Sequence, residues 1–363
     1  MNEARLLDTF LTLLRIDSPP AREGPVAAYL QRELVQLGAA TEIDAAGNLF
    51  ATLPGQGPCI ALNAHMDTVD STAGLEPVVE EGRVRSNGRT VLGADDKAGI
   101  AAILEGVRAI RGAGRPHVNL ELIFTVQEER GLVGAQRFDI ARLQSQYCFT
   151  FDSGQPVGHF VVQQPSQEKL QVTVYGRRAH AGVAPERGVN AIVAAARALA
   201  TMPLGRIDHE TTANVGVIRG GQSTNIVPDE VVVHLEARSH SDATLERQVQ
   251  AMIDAFERAG AGMGARTEVQ REASYRAYRL AETEPVVQRA LAAARACGFD
   301  TALHASGGGS DANIFNAKGL PTIVVGLDYR EIHSPNEWIP IASLNAAARL
   351  AEALIQPEYE RSR

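Results

Sequence analysis

A chain of 363 residues is long enough for two domains and a sizeable core. With 45% hydrophobic and 21% charged residues, a net charge of −8 and no basic stripe, it reads as an ordinary globular protein and excludes nucleic acid as the expected partner. Three widely spaced cysteines (Cys59, Cys148, Cys297) predict reduced thiols, no run reaches the ~18–20 apolar residues of a membrane span, and the acidic N-terminus lacks a basic leader. Together these predict a cytoplasmic protein with no membrane contact.

In chain order, Leu6, Leu7, Phe10, Leu11 and Leu14 predict a helix over residues 3–15, stopped by "SPP". A second helix is predicted over 24–38, ending at Gly38, then a hairpin over 41–55 and a buried strand over 59–67. A long helix over 95–114 and buried strands over 119–126 and 146–152 follow. Strands alternating with helices predict an α/β fold with a mixed, largely parallel sheet flanked by helices.

The pattern changes near residue 165. A strand over 168–180 alternates apolar and polar residues, followed by a helix (188–202), two strands (211–221, 230–239), a helix (242–264) and a strand (266–278). This order is that of a split βαβ, ferredoxin-like α+β unit. The α/β pattern then resumes with a helix over 284–298, a strand over 321–327 and a closing helix over 343–356. The expected organisation is one discontinuous domain of residues 1–164 and 274–363, with 165–273 inserted into it.

Five stretches repeat one arrangement, an apolar strand-like run ending in a carboxylate or histidine: "IALNAHMDTVD", "VLGADDKAGI", "LELIFTVQEER", "YCFTFDSG" and "TIVVGLDYREIHS". They place His65, Asp67, Asp95, Glu128, Glu129, Asp152 and His333 at the carboxyl edge of the sheet, where sites form in α/β folds. Carboxylates gathered there stay ionised together only if cations neutralise them. His65 and Asp67 lie two apart, so Asp67 can orient the imidazole. Asp95 and Asp96 sit where helix N-caps belong, and a carboxylate with two oxygens can bridge two ions. Glu128 and Glu129 are adjacent, so their strand must end at "TVQ" for both to reach one cavity; one then binds metal and the other takes a proton. Nitrogen and oxygen donors without cysteine suit Zn²⁺, Co²⁺ or Mn²⁺. Three ligand carboxylates and two neutral histidines balance all but one charge of two divalent ions, and a hydroxide supplies the rest.

The segments "HMDTVD", "GADDKAG", "QEERGLVGA", "FDSG" and "GGGSDANIFNAKGLPT…HSPNEWIPI" resemble the co-catalytic zinc exopeptidases of the peptidase T, carboxypeptidase G and aminoacylase family, nearest to the peptidase T-like branch, over essentially the whole chain. The resemblance implies that His65 and Asp152 hold one ion, Glu129 and His333 the other, and that Asp95 bridges them. It implies Glu128 as general base, Asp67 as support for His65, and a cis peptide at Asp95–Asp96. It makes the inserted domain a lid that also forms a homodimer. There His180 would hold the tetrahedral intermediate, Arg238 would bind a substrate carboxylate and Asn225 would add a polar contact. The glycines at 307–309, Gly308 among them, suit close backbone approach to a substrate. The expected activity is hydrolysis of short peptides by an aminopeptidase or tripeptidase carrying two divalent ions, foremost Zn²⁺. An N-acyl amino acid deacylase or a carboxypeptidase on the same scaffold is the alternative.

Overall fold

A computed structural model describes residues 1–357. The chain divides into two compact units, one formed by Met1–Val162, Arg279–Ala305 and the residues from Ser310 onward, the other by Gln163–Tyr278 and Ser306–Gly309. The division falls at 278/279 where the sequence placed it at 273/274, because the last strand of the second unit runs on to Tyr275.

The first unit is built on a nine-stranded mixed sheet. Four strands at its centre, Asn119–Thr125, Cys59–His65, Cys148–Ser153 and Thr322–Gly326, lie side by side in that order and all run parallel. They are apolar runs buried along nearly their whole length, as parallel strands covered on both faces must be. Antiparallel strands flank them: the hairpin Ala40–Ile43 and Leu49–Leu53 on one side, and His159–Gln164 on the other. The last of these escaped the sequence reading, as did Ala302–Ala305 and a three-stranded sheet of Val78–Glu80, Arg83–Arg85 and Trp338–Pro340. These short edge elements are fixed by distant partners rather than by local pattern.

Helix Glu3–Leu14 buries Leu6, Phe10, Leu13 and Leu14, a spacing of one helical face. Leu7 and Leu11, expected on that face, are only half-buried, and Leu13 replaces them. Helix Gly24–Gln36 ends just before Gly38, whose φ of +83° suits a residue without Cβ. Helix Ala94–Gly112 packs against the sheet through Gly99. A Cβ there would stand 2.5 Å from the Phe151 carbonyl oxygen and 2.4 Å from Asp96 Oδ1. The missing side chain therefore sets how closely the helix start approaches the strand that carries Asp152.

The second unit is a five-stranded antiparallel sheet in the order Gly205–Arg206, Thr211–Gly220, Glu230–Ser239, Ser166–Tyr175, Arg266–Tyr275. Helices Ala191–Thr201 and Asp242–Ala261 cover one face. Leu170, Val172, Val174, Val231, Val233 and Leu235 alternate inward to meet Ala195, Ala198, Val249, Met252 and Phe256. The strand–helix–strand–strand–helix–strand order is the split βαβ arrangement. No described helix is long and apolar enough to cross a membrane, and the three cysteines are unpaired.

Gly99→Ala is expected to lower the thermal midpoint. Forcing a methyl into this contact costs about 1–3 kcal/mol, more than the ~1 kcal/mol that alanine gains in helix propensity. A midpoint at or above that of the unchanged protein, measured by calorimetry, would show that the helix is free to shift.

Candidate metal centre

The parallel strands bring their carboxyl ends to one level. His65 pairs with Thr125 in register and Asn63 with Thr150, so two steps further His65 stands level with Asp152. The strand before Glu128 and Glu129 ends at Thr125, slightly earlier than expected, and Gln127 turns the chain with φ +52°. His333 arrives from the loop beyond Gly326, itself at φ +60°. Asp95 and Asp96 come from the start of helix Ala94–Gly112, after Gly93 at φ +78°. They are not N-caps as the sequence suggested: Gly93 holds that position, their carboxylates turn to His65 instead of the helix N–H groups, and the peptide between them is cis.

These elements converge. Asp95 Oδ1 lies 3.0 Å from His65 Nε2, and Asp95 Oδ2 lies 3.4 Å from His333 Nε2. The two oxygens of one carboxylate thus face two separate imidazoles. His333 Nε2 is 2.9 Å from Glu129 Oε1. Three sets of donors have ligand atoms within 4.8 Å of one another: His65, Asp95 and Asp152; Asp95, Glu129 and His333; and His65, Glu128 and Glu129. The first two share Asp95. His65 and Asp95 are buried, Glu129 and Asp152 half-buried, and His333 exposed, so the group opens from the sheet edge toward solvent.

Asp67 has two sets of neighbours. Its Oδ1 lies 3.3 Å from His65 Nδ1, beside the ring it was expected to orient. Its carboxylate also accepts the backbone N–H of Glu128 at 3.0 Å and of Glu129 at 3.2 Å, pinning the turn that carries both glutamates. Asp96 Oδ2 accepts the His65 N–H at 3.1 Å. Two supporting residues were missed by the sequence reading. Glu337 is buried and accepts the N–H groups of Leu92, Gly93 and Asp95 at 2.7, 2.8 and 3.1 Å, holding the loop that presents Asp95. Burial lifts its carboxyl to about 7. The Tyr329 hydroxyl donates to Asp152 Oδ1 at 2.9 Å. An acid beside the apolar "WIPI" was the available signal for Glu337; Tyr329 had none.

Electrostatics describe a site short of positive charge. Burial raises Asp96, Asp152 and Glu128 well above the carboxylate range, and nearby carboxylates add to the rise in each. Burial opposes a proton on His65, but Asp67 and Asp95 outweigh it and lift the imidazole well above its usual value. Hydrogen bonds to Asp95 and Glu129 take His333 up to about 10. Divalent cations held among these groups would offset their charge. Donor atoms of a tetrahedral ion with bonds of about 2.0–2.2 Å stand about 3.3–3.6 Å apart, close to the spacings here. The donor sets that share Asp95 therefore fit divalent ions.

The remaining expected residues lie in the second unit. Ala179–His180 pairs with Ile226–Val227, and the Ala181 N–H donates to the Asn225 carbonyl at 2.9 Å, so His180 and Asn225 are neighbours. Arg238 is half-buried and held by Glu236 at 3.0 Å. Gly308 donates its N–H to Ser306 Oγ at 3.1 Å, and Gly309 next to it lies where any Cβ would stand 2.3 Å from the Tyr275 ring.

Comparison with known proteins agrees with this construction. The uncharacterized protein YqjE of Bacillus subtilis is 43% identical over 98% of this chain and 99% of its own length. The crystal structure of aminopeptidase PepT from Bacillus cereus is 42% identical with a TM-score of 0.88, covering 98% of each chain. That of a tripeptidase from Staphylococcus aureus is 38% identical with a TM-score of 0.95, covering 99% of this chain and 100% of the other. Residues 61–356 match the peptidase family M20/M25/M40 as a whole, and the chain belongs to that family.

Proposed function

We propose that this protein is a metal-dependent exopeptidase that cleaves short peptides, an aminopeptidase or tripeptidase of the peptidase T-like type. The observation that carries the reading is Asp95, whose two oxygens face His65 and His333 separately, the arrangement a bridging ligand requires. The names of the two solved relatives, aminopeptidase and tripeptidase, support the substrate class. His65 and Asp152 would hold one divalent ion, Glu129 and His333 the other, with Asp95 between them. Nitrogen and oxygen donors favour Zn²⁺, with Co²⁺ and Mn²⁺ also suited. Bound there, two such ions would polarise the scissile carbonyl and acidify a water.

The chain's own groups do the rest. Glu128 is adjacent to a ligand, yet its carboxyl makes no hydrogen bond among the described residues. It is free to take a proton from the attacking water and return it to the leaving nitrogen. Asp67 holds the turn that aims it. His180 is assigned to the developing oxyanion and Arg238 to the peptide carboxylate, with Asn225 and Gly308 contacting the substrate. A homodimer through the second unit is part of the same proposal. Strand Thr211–Gly220 leaves Val217 and Ile218 exposed, and helix Ala191–Thr201 leaves Ile192 and Val193 exposed. Three unpaired thiols support a cytoplasmic location.

Metal-free protein given Zn²⁺, Co²⁺ or Mn²⁺ is expected to cleave tripeptides faster than dipeptides or N-acyl amino acids. A preference for N-acyl amino acids would replace the peptidase reading with a deacylase. Glu128→Gln is expected to keep its bound metal, measured by atomic absorption, and to lose about 10²–10⁴-fold in kcat; near-normal turnover would remove Glu128 as the base. On the same tripeptide, Arg238→Ala is expected chiefly to raise KM and His180→Ala chiefly to lower kcat. If both leave kcat and KM unchanged, their assignment to substrate is wrong. Light scattering is expected to give twice the chain mass, and the chain mass alone for Ile218→Asp; a monomeric starting protein would refute the dimer.

A further inference from the structure

Beneath the ligand-bearing ends of the parallel strands lies a layer of buried polar residues that metal binding does not use. Asn63 stands two residues before His65, Thr150 two before Asp152, and Thr125 pairs with His65, so all three point to one face of the sheet, Asn63 and Thr150 one step below the ligands and Thr125 beside His65. None is more than 1% exposed. Polar groups inside an apolar parallel sheet are costly unless each finds a partner. Thr150 Oγ1 donates to Asn63 Oδ1 at 2.9 Å, and Asn63 Nδ2 donates to the Ile123 carbonyl at 3.1 Å. The remaining bonds converge on Asp311, at the start of helix Asp311–Ala317. Thr125 Oγ1 donates to Asp311 Oδ2 at 2.5 Å, and Asn63 Nδ2 lies 3.5 Å from the same oxygen.

We propose that Asp311 is a positioning residue for the metal centre: its carboxylate locks the three ligand-bearing strands in step and places fixed negative charge beneath the cations. This rests on the metal-centre reading above. The carboxylate itself is the clue. Asp311 is 1% exposed and its Oδ1 has no hydrogen-bond partner among the described residues. Holding strands together needs only an acceptor, which an amide supplies without burying a charge. An ionised group with one oxygen unpaired is a poor choice for packing alone. It becomes a favourable one when divalent ions sit one layer above, since their attraction for a buried anion is weakly screened. Outer partners of metal ligands act in this way, by orienting the ligands and tuning their charge.

The test is metal affinity of the metal-free full-length protein, titrated with Zn²⁺ against a chromophoric chelator, alongside the thermal midpoint of the same metal-free samples. Asp311→Asn keeps the shape and removes the charge. It is expected to weaken binding of at least one ion roughly 10–100-fold while the metal-free midpoint holds or rises. With saturating Zn²⁺ its kcat is expected to fall with KM for a tripeptide unchanged. Thr125→Val, which deletes the hydroxyl donor, is expected to weaken binding as well, and Thr125→Ser to restore it. Wild-type affinity in Asp311→Asn, or a lowered midpoint with unchanged affinity, would reduce Asp311 to a packing residue and overturn the proposal. If Asp311→Asn does not fold, wild-type affinity in Thr125→Val overturns it instead. A starting protein that takes up no Zn²⁺ refutes the metal centre itself, which is a separate result.

Discussion

Carboxylates held together away from water repel one another, and the first unit is organised around that constraint. Asp67, Asp95, Asp96, Asp152, Glu128 and Glu129 crowd one edge of the sheet, where burial and mutual repulsion drive several of them toward protonation. Apart from Glu128, they fall into two groups. Asp67 and the neighbouring Glu337 spend both oxygens, and Asp96 one, on backbone N–H groups, and so join segments that are far apart in sequence. Asp95, Asp152 and Glu129 turn toward imidazoles or the tyrosine hydroxyl instead of backbone N–H groups. The first group builds the site; the second is where countercharge is needed, and one divalent ion offsets several carboxylates at once where a proton neutralises one.

The scaffold makes this crowding affordable by geometry. Parallel strands in register end at one level, so residues that follow an apolar run on each strand meet at a common edge. The helix that delivers Asp95 can come close because Gly99 has no side chain. Without that approach the carboxylate that faces both imidazoles would stand outside their reach.

Much of this was legible in the sequence because the signals are local. Apolar runs marked the buried strands, alternation marked the second unit, and a charged residue at the end of each run marked the site. What stayed hidden depends on partners distant along the chain. Nothing around Tyr329 shows that its hydroxyl meets Asp152, and nothing in "HMD" shows that Asp67, beside the His65 ring, also holds the turn at Glu128 and Glu129. The short strands Val78–Glu80 and Ala302–Ala305 exist only through pairing with other segments. Helix Glu3–Leu14 shows the same limit on a smaller scale: its leucines allow two overlapping faces, and the neighbouring helix decides which is buried.

The adjacency of Glu128 and Glu129 shows how structure narrows what chemistry leaves open. Both lie close enough to His65 to form a donor set with it, so proximity alone does not separate base from ligand. Their hydrogen bonds differ. Glu129 is drawn to His333, and through His333 to Asp95, which places it in a donor set that contains Asp95. Glu128 has its backbone fixed by Asp67 but its carboxyl free, and burial holds that carboxyl well above the ordinary range. A base must keep affinity for a proton and remain able to move it, whereas a ligand must give its charge to the ion. The two proposed roles rest on one difference between neighbours on one turn: Glu129 is hydrogen-bonded to an imidazole and Glu128 is not.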